Sequence, residues 1–237
     1  MTSQLSRRLL GGTSKAVLFA AAIGAAGFLA PQAANADVIA EYSVDGGATY
    51  NPICSAPSGS ACSNASITTS NGILLTLSSA GSNSPGTASL ADVVSSTLQI
   101  TNTSGAAESI LINIGDVNFT APTTPPDVIV NNHIGGTIVV PSALDTASLV
   151  SYVNESNGQN ATSGFATSPA APNITGSGSF SQDSFLDLPS LTAPFSLTEV
   201  LSLTLGAGSS INYSTSTTLS PVPEPMSLTL FGSALVG

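Results

Sequence analysis

A chain of 237 residues with 42% hydrophobic but only 7% charged residues has enough apolar side chains for a core and few groups for electrostatic work. Thirteen Asp and Glu against three Lys and Arg give a formal charge of −10, and the three cations, Arg7, Arg8 and Lys15, all lie near the start. Affinity for nucleic acid comes mostly from Lys and Arg on phosphates, so nucleic acid is excluded as a partner, and anionic lipid surfaces are disfavoured for the same reason.

Arg7, Arg8 and Lys15 precede an apolar stretch from Ala16 to Ala30. Pro31 follows it, and Ala34-Asn35-Ala36 supplies a small-x-small signal-peptidase site. Residues 1–36 therefore read as a signal helix cleaved before Asp37, rather than as a membrane anchor. Ser6-Arg7-Arg8-Leu9-Leu10 also fits a loose twin-arginine motif. Nothing points to a cofactor loaded before export, so the general secretory route is expected. The chain left after cleavage keeps all thirteen acidic residues and no Lys or Arg. Its open partners are neutral or cationic: polysaccharide hydroxyls, divalent cations, basic proteins, or further copies of itself.

Val38 to Val44 is the first strand candidate. Cys54 and Cys62 then bracket a turn-rich Ser-Ala-Pro-Ser-Gly-Ser-Ala loop. In an exported chain such a pair reads as a disulfide, which stabilises by ~2 to 3 kcal/mol in the chain-entropy picture. A metal site would need more ligands than these two and the lone His133.

Ile73 to Ser78 comes next. Val94, Leu98 and Ile100 share one face of a segment running to Asn102-Thr103-Ser104-Gly105, and Ile110, Ile112 and Ile114 repeat the period beyond it, which predicts a hairpin. At Gly115-Asp116 the apolar parity moves to Val117 and Phe119, as a β-bulge would make it. Short strands follow at Val128 to Val130, Thr137 to Val140 and Leu149 to Val153. Ser156 to Ser179 is poor in large apolar residues and reads as a long mobile loop or an irregular edge. The clearest alternation sets Phe195, Leu197, Leu201, Leu203 and Leu205 against Ser196, Thr198, Ser202 and Thr204. Gly206-Ala207-Gly208 then turns the chain into a return strand from Ile211 and Tyr213 to Leu219. Helix formers are scarce and Thr, Ser and Gly common, so the expectation is all-β. The predicted fold is a two-sheet antiparallel β-sandwich over 37–219, with jelly-roll-like or immunoglobulin-like connections. An edge strand without Lys lacks the usual guard against strand-to-strand association, which suits a protein that assembles or adheres.

Residues that would carry catalysis are few. His133, the single imidazole, sits in Asn131-Asn132-His133-Ile134-Gly135-Gly136 and reads as a loop or edge residue; no G-x-S-x-G elbow is present to place a nucleophile. Asp183 and Asp187 have the composition of a glycosidase acid pair, but their context reads as an exposed loop entering a strand. Asp45-Gly46-Gly47 and Asp116-Val117-Asn118 are candidate calcium loops without EF-hand spacing, and such residues more often make turns. Seven Asn-x-Ser/Thr triplets, at Asn64, Asn102, Asn118, Asn154, Asn160, Asn173 and Asn212, suit surface acceptor sites, although composition alone produces many of them. No catalytic, cofactor or metal residue is assigned, and the chain is expected not to be an enzyme.

At the far end, Pro221-Val222-Pro223-Glu224-Pro225 precedes the apolar run Met226 to Gly237. The prolines hold the stretch extended and are expected to stop the preceding strand. Val222, Pro223, Glu224 and Pro225 resemble the C-terminal sorting signal of PEP-CTERM proteins, in which Val-Pro-Glu-Pro leads into an apolar helix and a short arginine-rich end. The resemblance implies export, a transient inner-membrane tether, and processing by an exosortase. It further implies delivery to the surface or exopolysaccharide matrix of a Gram-negative bacterium. It covers the last seventeen residues, 221–237, and implies no catalysis. Twelve residues follow Pro225 and no basic end is present, whereas about 20 apolar residues span a bilayer, so this tail of 220–237 is expected to be incomplete as an anchor. The expected function is that of a non-enzymatic surface or matrix protein associated with exopolysaccharide and biofilm. The alternative is a secreted carbohydrate-binding or, less favoured, carbohydrate-active module, against which stands the lack of Trp.

Overall fold

Among residues 37–124 and 126–222, which the computed structural model describes, every regular element is a β-strand. The first six are β1 (Asp37–Ser43), β2 (Asn51–Pro57), β3 (Cys62–Thr68), β4 (Ile73–Ser82), β5 (Ala91–Asn102) and β6 (Glu108–Phe119). The others are β7 (Val128–Val140), β8 (Thr146–Asn154), β9 (Phe165–Ala166), β10 (Gly178–Leu188), β11 (Phe195–Leu205) and β12 (Ser210–Pro221). They form two antiparallel six-stranded sheets, the first in the order β2-β1-β6-β11-β8-β9 and the second β10-β7-β12-β5-β4-β3. The expected all-β sandwich is what the chain builds.

Alternation sets which face of each strand is buried. Ile110, Ile112 and Ile114 of β6 and Leu201, Leu203 and Leu205 of β11 turn inward from the first sheet. Ile73, Leu75 and Leu77 of β4, Leu98 and Ile100 of β5, and Ile211 and Tyr213 of β12 meet them from the second. Each such side chain contributes roughly 1.5–3 kcal/mol by leaving water, so the inner faces hold the sheets together. Phe119 stacks on Phe195 at 5.6 Å between ring centres, and Phe180 meets Tyr213 edge-on at 5.5 Å.

The strand partners differ from those expected. β5 and β6 are not a hairpin: β5 pairs with β4 and β12, while β6 pairs with β1 and β11. The Asn102–Gly105 turn carries the chain from one sheet to the other, and the turn at Gly206–Gly208 does the same between β11 and β12. A period of two identifies the buried face but cannot tell a neighbour in the same sheet from one across the core. Val94 is another correction, since it is 40% exposed while Val93 and Ser95 face inward. The parity of β5 is reset at Thr97, which has φ +48°. The bulge predicted in β6 exists, two residues later than expected. Between Asp116 and Phe119 β6 has one residue more than β11 opposite it, and Asn118 takes φ +63°. Asp116 therefore turns inward and Val117 does not.

Val128 to Val130 and Thr137 to Val140 are the two ends of one strand, β7, which continues through Asn131-Asn132-His133-Ile134-Gly135-Gly136. Gly136 permits this, because a Cβ there would stand 2.1 Å from the Asn212 carbonyl and 2.7 Å from the Phe180 ring. His133 is thus in the second strand from the edge, neither in a loop nor at the edge. β10 occupies the span read as a loop around Asp183 and Asp187. Residues 156–177 behave as the irregular edge, with β9 and an isolated bridge at Ala170 both pairing with β8.

The disulfide forms as expected. Cys54 on β2 bonds Cys62 on β3, with Cα atoms 5.7 Å apart. Because β2 borders the first sheet and β3 the second, the bridge joins the two sheets along one side of the sandwich. At the C-terminal end, pairing continues past Leu219 to Pro221 opposite Val128, and the Val222 N–H donates to the Asp127 carbonyl at 2.7 Å. The strand thus runs two residues beyond the expected Leu219 and has Pro221 as its last residue. Ala34, Ala36, Pro223, Glu224 and Pro225 lie outside the described residues, whereas Asp37 opens β1.

Candidate functional site

An open groove of about 390 Å³ lies on the outer face of the first sheet. Its floor follows from register. Ser202 of β11 lies between Leu111 of β6 and Ser148 of β8, and Thr204 lies between Ser109 and Thr146. These outward positions form two parallel rungs with five hydroxyls, and Ser109 and Thr204 hydrogen-bond across one rung at 3.0 Å. Val44 and Gly46 from the β1–β2 connection form one flank, and no ionisable side chain lines the groove.

That flank is held by Asp45. Its carboxylate accepts from the Ser43 hydroxyl at 2.7 Å, the Thr49 hydroxyl at 2.6 Å and the Thr49 N–H at 3.0 Å. These bonds, led by Ser43, hold the carboxyl well below the usual carboxylate range. Asp45 thus serves as a turn-forming residue. Next to it, Tyr50 is 36% exposed, and its hydroxyl and Leu111 Cδ1 lie 3.2 and 3.4 Å from where a Gly47 Cβ would stand. An aromatic ring therefore stands beside the groove.

The second sheet carries the imidazole. His133 and Asp183 are register partners on β7 and β10, and His133 Nδ1 lies 2.8 Å from Asp183 Oδ1. Ser216 of β12 is opposite His133 on the other side. The row Asp183-His133-Ser216 has the composition of a catalytic triad without its connections: among the described residues no hydrogen bond joins His133 to Ser216, and neighbouring backbone N–H groups are engaged in the sheet ladders. Asp187 is on the same outward face of β10 but has no share in the pair.

A third polar cluster is buried between the sheets. Glu199 points inward from β11 and is 1% exposed; its Oε2 accepts from the Thr215 hydroxyl at 2.5 Å, and Thr215 meets Ser95 at 2.7 Å. Burial pushes the Glu199 carboxyl up to about 8, with the Thr215 and Thr217 hydrogen bonds opposing that shift. Thr217 bonds Ser151, whose hydroxyl donates to Asn132 Oδ1 at 3.0 Å. Asn132 in turn donates to the Leu149 carbonyl at 2.8 Å and to Thr167 and Ser184, tying β7, β8, β10 and the 156–177 edge together. Asp116 is buried as well and bonded to Ser82 and the Val117 N–H, so neither predicted calcium loop presents a free carboxylate. Burial raises its carboxyl above the usual range.

Of the seven Asn-x-Ser/Thr triplets, Asn102 and Asn154 are buried and Asn173 is exposed. Among the described residues no three His, Cys, Asp or Glu converge at metal-binding distances. The groove is what sequence reasoning missed. Its signal was present in the polar half of the alternation, Ser202 and Thr204 on β11 with Thr146 and Ser148 on β8, but only register aligns them. Compared with known proteins, the chain matches no family model and no curated protein.

Proposed function

We propose that this chain is an exported, non-enzymatic protein of the cell surface or extracellular matrix, sorted by an exosortase-type enzyme and associated with exopolysaccharide. The observation that carries the reading is the Val222-Pro223-Glu224-Pro225 signature placed directly after the last sheet residue. A processing enzyme acting at or beyond Glu224 would leave both sheets whole. The other end supports it in the same way, since cleavage before Asp37 removes residues 1–36 and leaves β1 intact. The disulfide fits passage through an oxidising compartment. A body without Lys or Arg fits a matrix of neutral polymer better than any anionic partner.

The reading is tested by replacing Pro223 and Pro225 with alanine in the producing organism and fractionating the cells. Loss of the motif is expected to move the protein from the surface and matrix fractions to the envelope, roughly tenfold by immunoblot, with the sandwich still folded. An unchanged distribution would remove the sorting claim.

A further inference from the structure

We infer that the groove on the first sheet is a binding site for a single strand of neutral polysaccharide. The inference deepens the proposed association with exopolysaccharide and rests on it for the choice of a matrix ligand. The groove itself narrows the chemistry. Anionic polymers need Lys or Arg, and the chain from Asp37 onward has none. Cations need carboxylates, and the groove has no ionisable lining; Asp45 beside it is already satisfied by Ser43 and Thr49. What remains is a neutral ligand rich in hydroxyls. Ser109, Ser148, Ser202, Thr146 and Thr204 each donate and accept, as a sugar hydroxyl does, and their two rungs cross three adjacent strands. Strands are spaced about 4.8 Å apart and alternate residues about 7 Å, so the lattice offers hydrogen bonds over roughly the footprint of a disaccharide. Leu111 and the exposed ring of Tyr50 supply the apolar surface on which the C–H face of a sugar packs. The groove is open, so a polymer can pass through it without presenting an end.

The test uses the purified full chain in affinity gel electrophoresis against laminarin, dextran, hydroxyethylcellulose and galactomannan, with alginate as the anionic control. At least one neutral polymer is expected to retard the protein, and alginate is not. Ser202→Trp, which fills the groove, and Tyr50→Ala, on the exposed flank, are each expected to weaken binding roughly tenfold or more. Val94→Ser, on the outer face of the other sheet, leaves it unchanged. The inference is overturned if no neutral polymer retards the protein, if alginate does so equally, or if both groove variants bind like the parent. Because export plays no part in this assay, failure here leaves the sorting claim standing, and failure of the fractionation test leaves the groove standing.

Discussion

Asn102→Ala is expected to lower the unfolding free energy by about 3 kcal/mol or more. Asn102 is fully buried, and its Nδ2 donates to the carbonyls of Ala106 at 2.7 Å, Leu205 at 2.8 Å and Gly206 at 3.1 Å, while its Oδ1 accepts from the Ser104 N–H at 2.9 Å. Its backbone is engaged too, donating to Ser209 and accepting from Gly208. One side chain therefore fastens both turns by which the chain crosses between sheets, β5 to β6 and β11 to β12. Alanine would remove all four side-chain bonds at once; the Ala106 and Gly206 carbonyls keep the Ser104 hydroxyl and the Ser209 N–H, whereas the Leu205 carbonyl and the Ser104 N–H lose the partner Asn102 gave them, and each buried polar group left unpaired costs about 1–3 kcal/mol. For a domain of this size the loss corresponds to a fall in Tm of roughly 10 °C. Thr103→Ala, next in sequence, removes one exposed bond to the Gly72 carbonyl and should cost under about 1 kcal/mol. Thermal unfolding of the two variants side by side checks the prediction, and equal losses would contradict it.

The second large effect is a dependence on pH set by Glu199. Its folded-state carboxyl titrates near 8 instead of 4.5, so between these values the folded protein holds a proton that the unfolded chain releases. The stability linked to that proton is complete below about pH 4.5 and is lost as pH rises through 8. The span corresponds to a loss on the order of 5 kcal/mol once the carboxylate must be charged in the core. Asp116 and Asp92, both raised by burial, add in the same direction. Asp45, held low by its hydrogen bonds, acts oppositely and matters only in strong acid. Glu199→Gln keeps an acceptor for Thr215 but cannot ionise. At about pH 5 the variant should match the parent within about 1 kcal/mol, and at about pH 9 it should be the more stable by several kcal/mol. Urea unfolding of both proteins across this range decides the matter; parallel pH profiles would mean that Glu199 is not the titrating group.

These two residues also show how far the sequence can be read. Ile110-x-Ile112-x-Ile114 and Leu201-x-Leu203-x-Leu205 announce strands with one buried face, and those faces are buried. The Cys54–Cys62 pairing followed from loop length and compartment, and the bridge is present. What alternation does not encode is the partner. Both predicted returns, after Asn102 and after Gly206, cross the core instead of pairing, because an inward face is satisfied equally by a strand opposite it. Glu199 falls on an inward position of β11 and looks like a break in the pattern until Thr215 and Thr217 are seen to receive it, with Ser95 bonded behind Thr215. Asn102 reads as a turn residue and a glycosylation triplet, yet its burial rules out the second role and enlarges the first. β10 escaped notice because its alternation is broken, with polar Gln182 and Ser184 at inward positions and Phe185 at an outward one: Phe180, Leu186 and Leu188 turn toward the core, while Asp183, Phe185 and Asp187 face solvent. The groove was hidden for a related reason, since serines and threonines on outward positions look alike until register lines them up.

Export of this sandwich to the matrix with processing at both ends, as proposed, would show in its intact mass. The protein would be isolated from the envelope, matrix and medium of the organism that makes it and weighed with and without reductant. The expected result is a matrix or medium species that begins at Asp37, ends near Pro225, and gains two hydrogens on reduction of Cys54–Cys62. A species in every fraction that still carries Met226 to Gly237 would contradict sorting at this motif and leave the groove as the only guide to function.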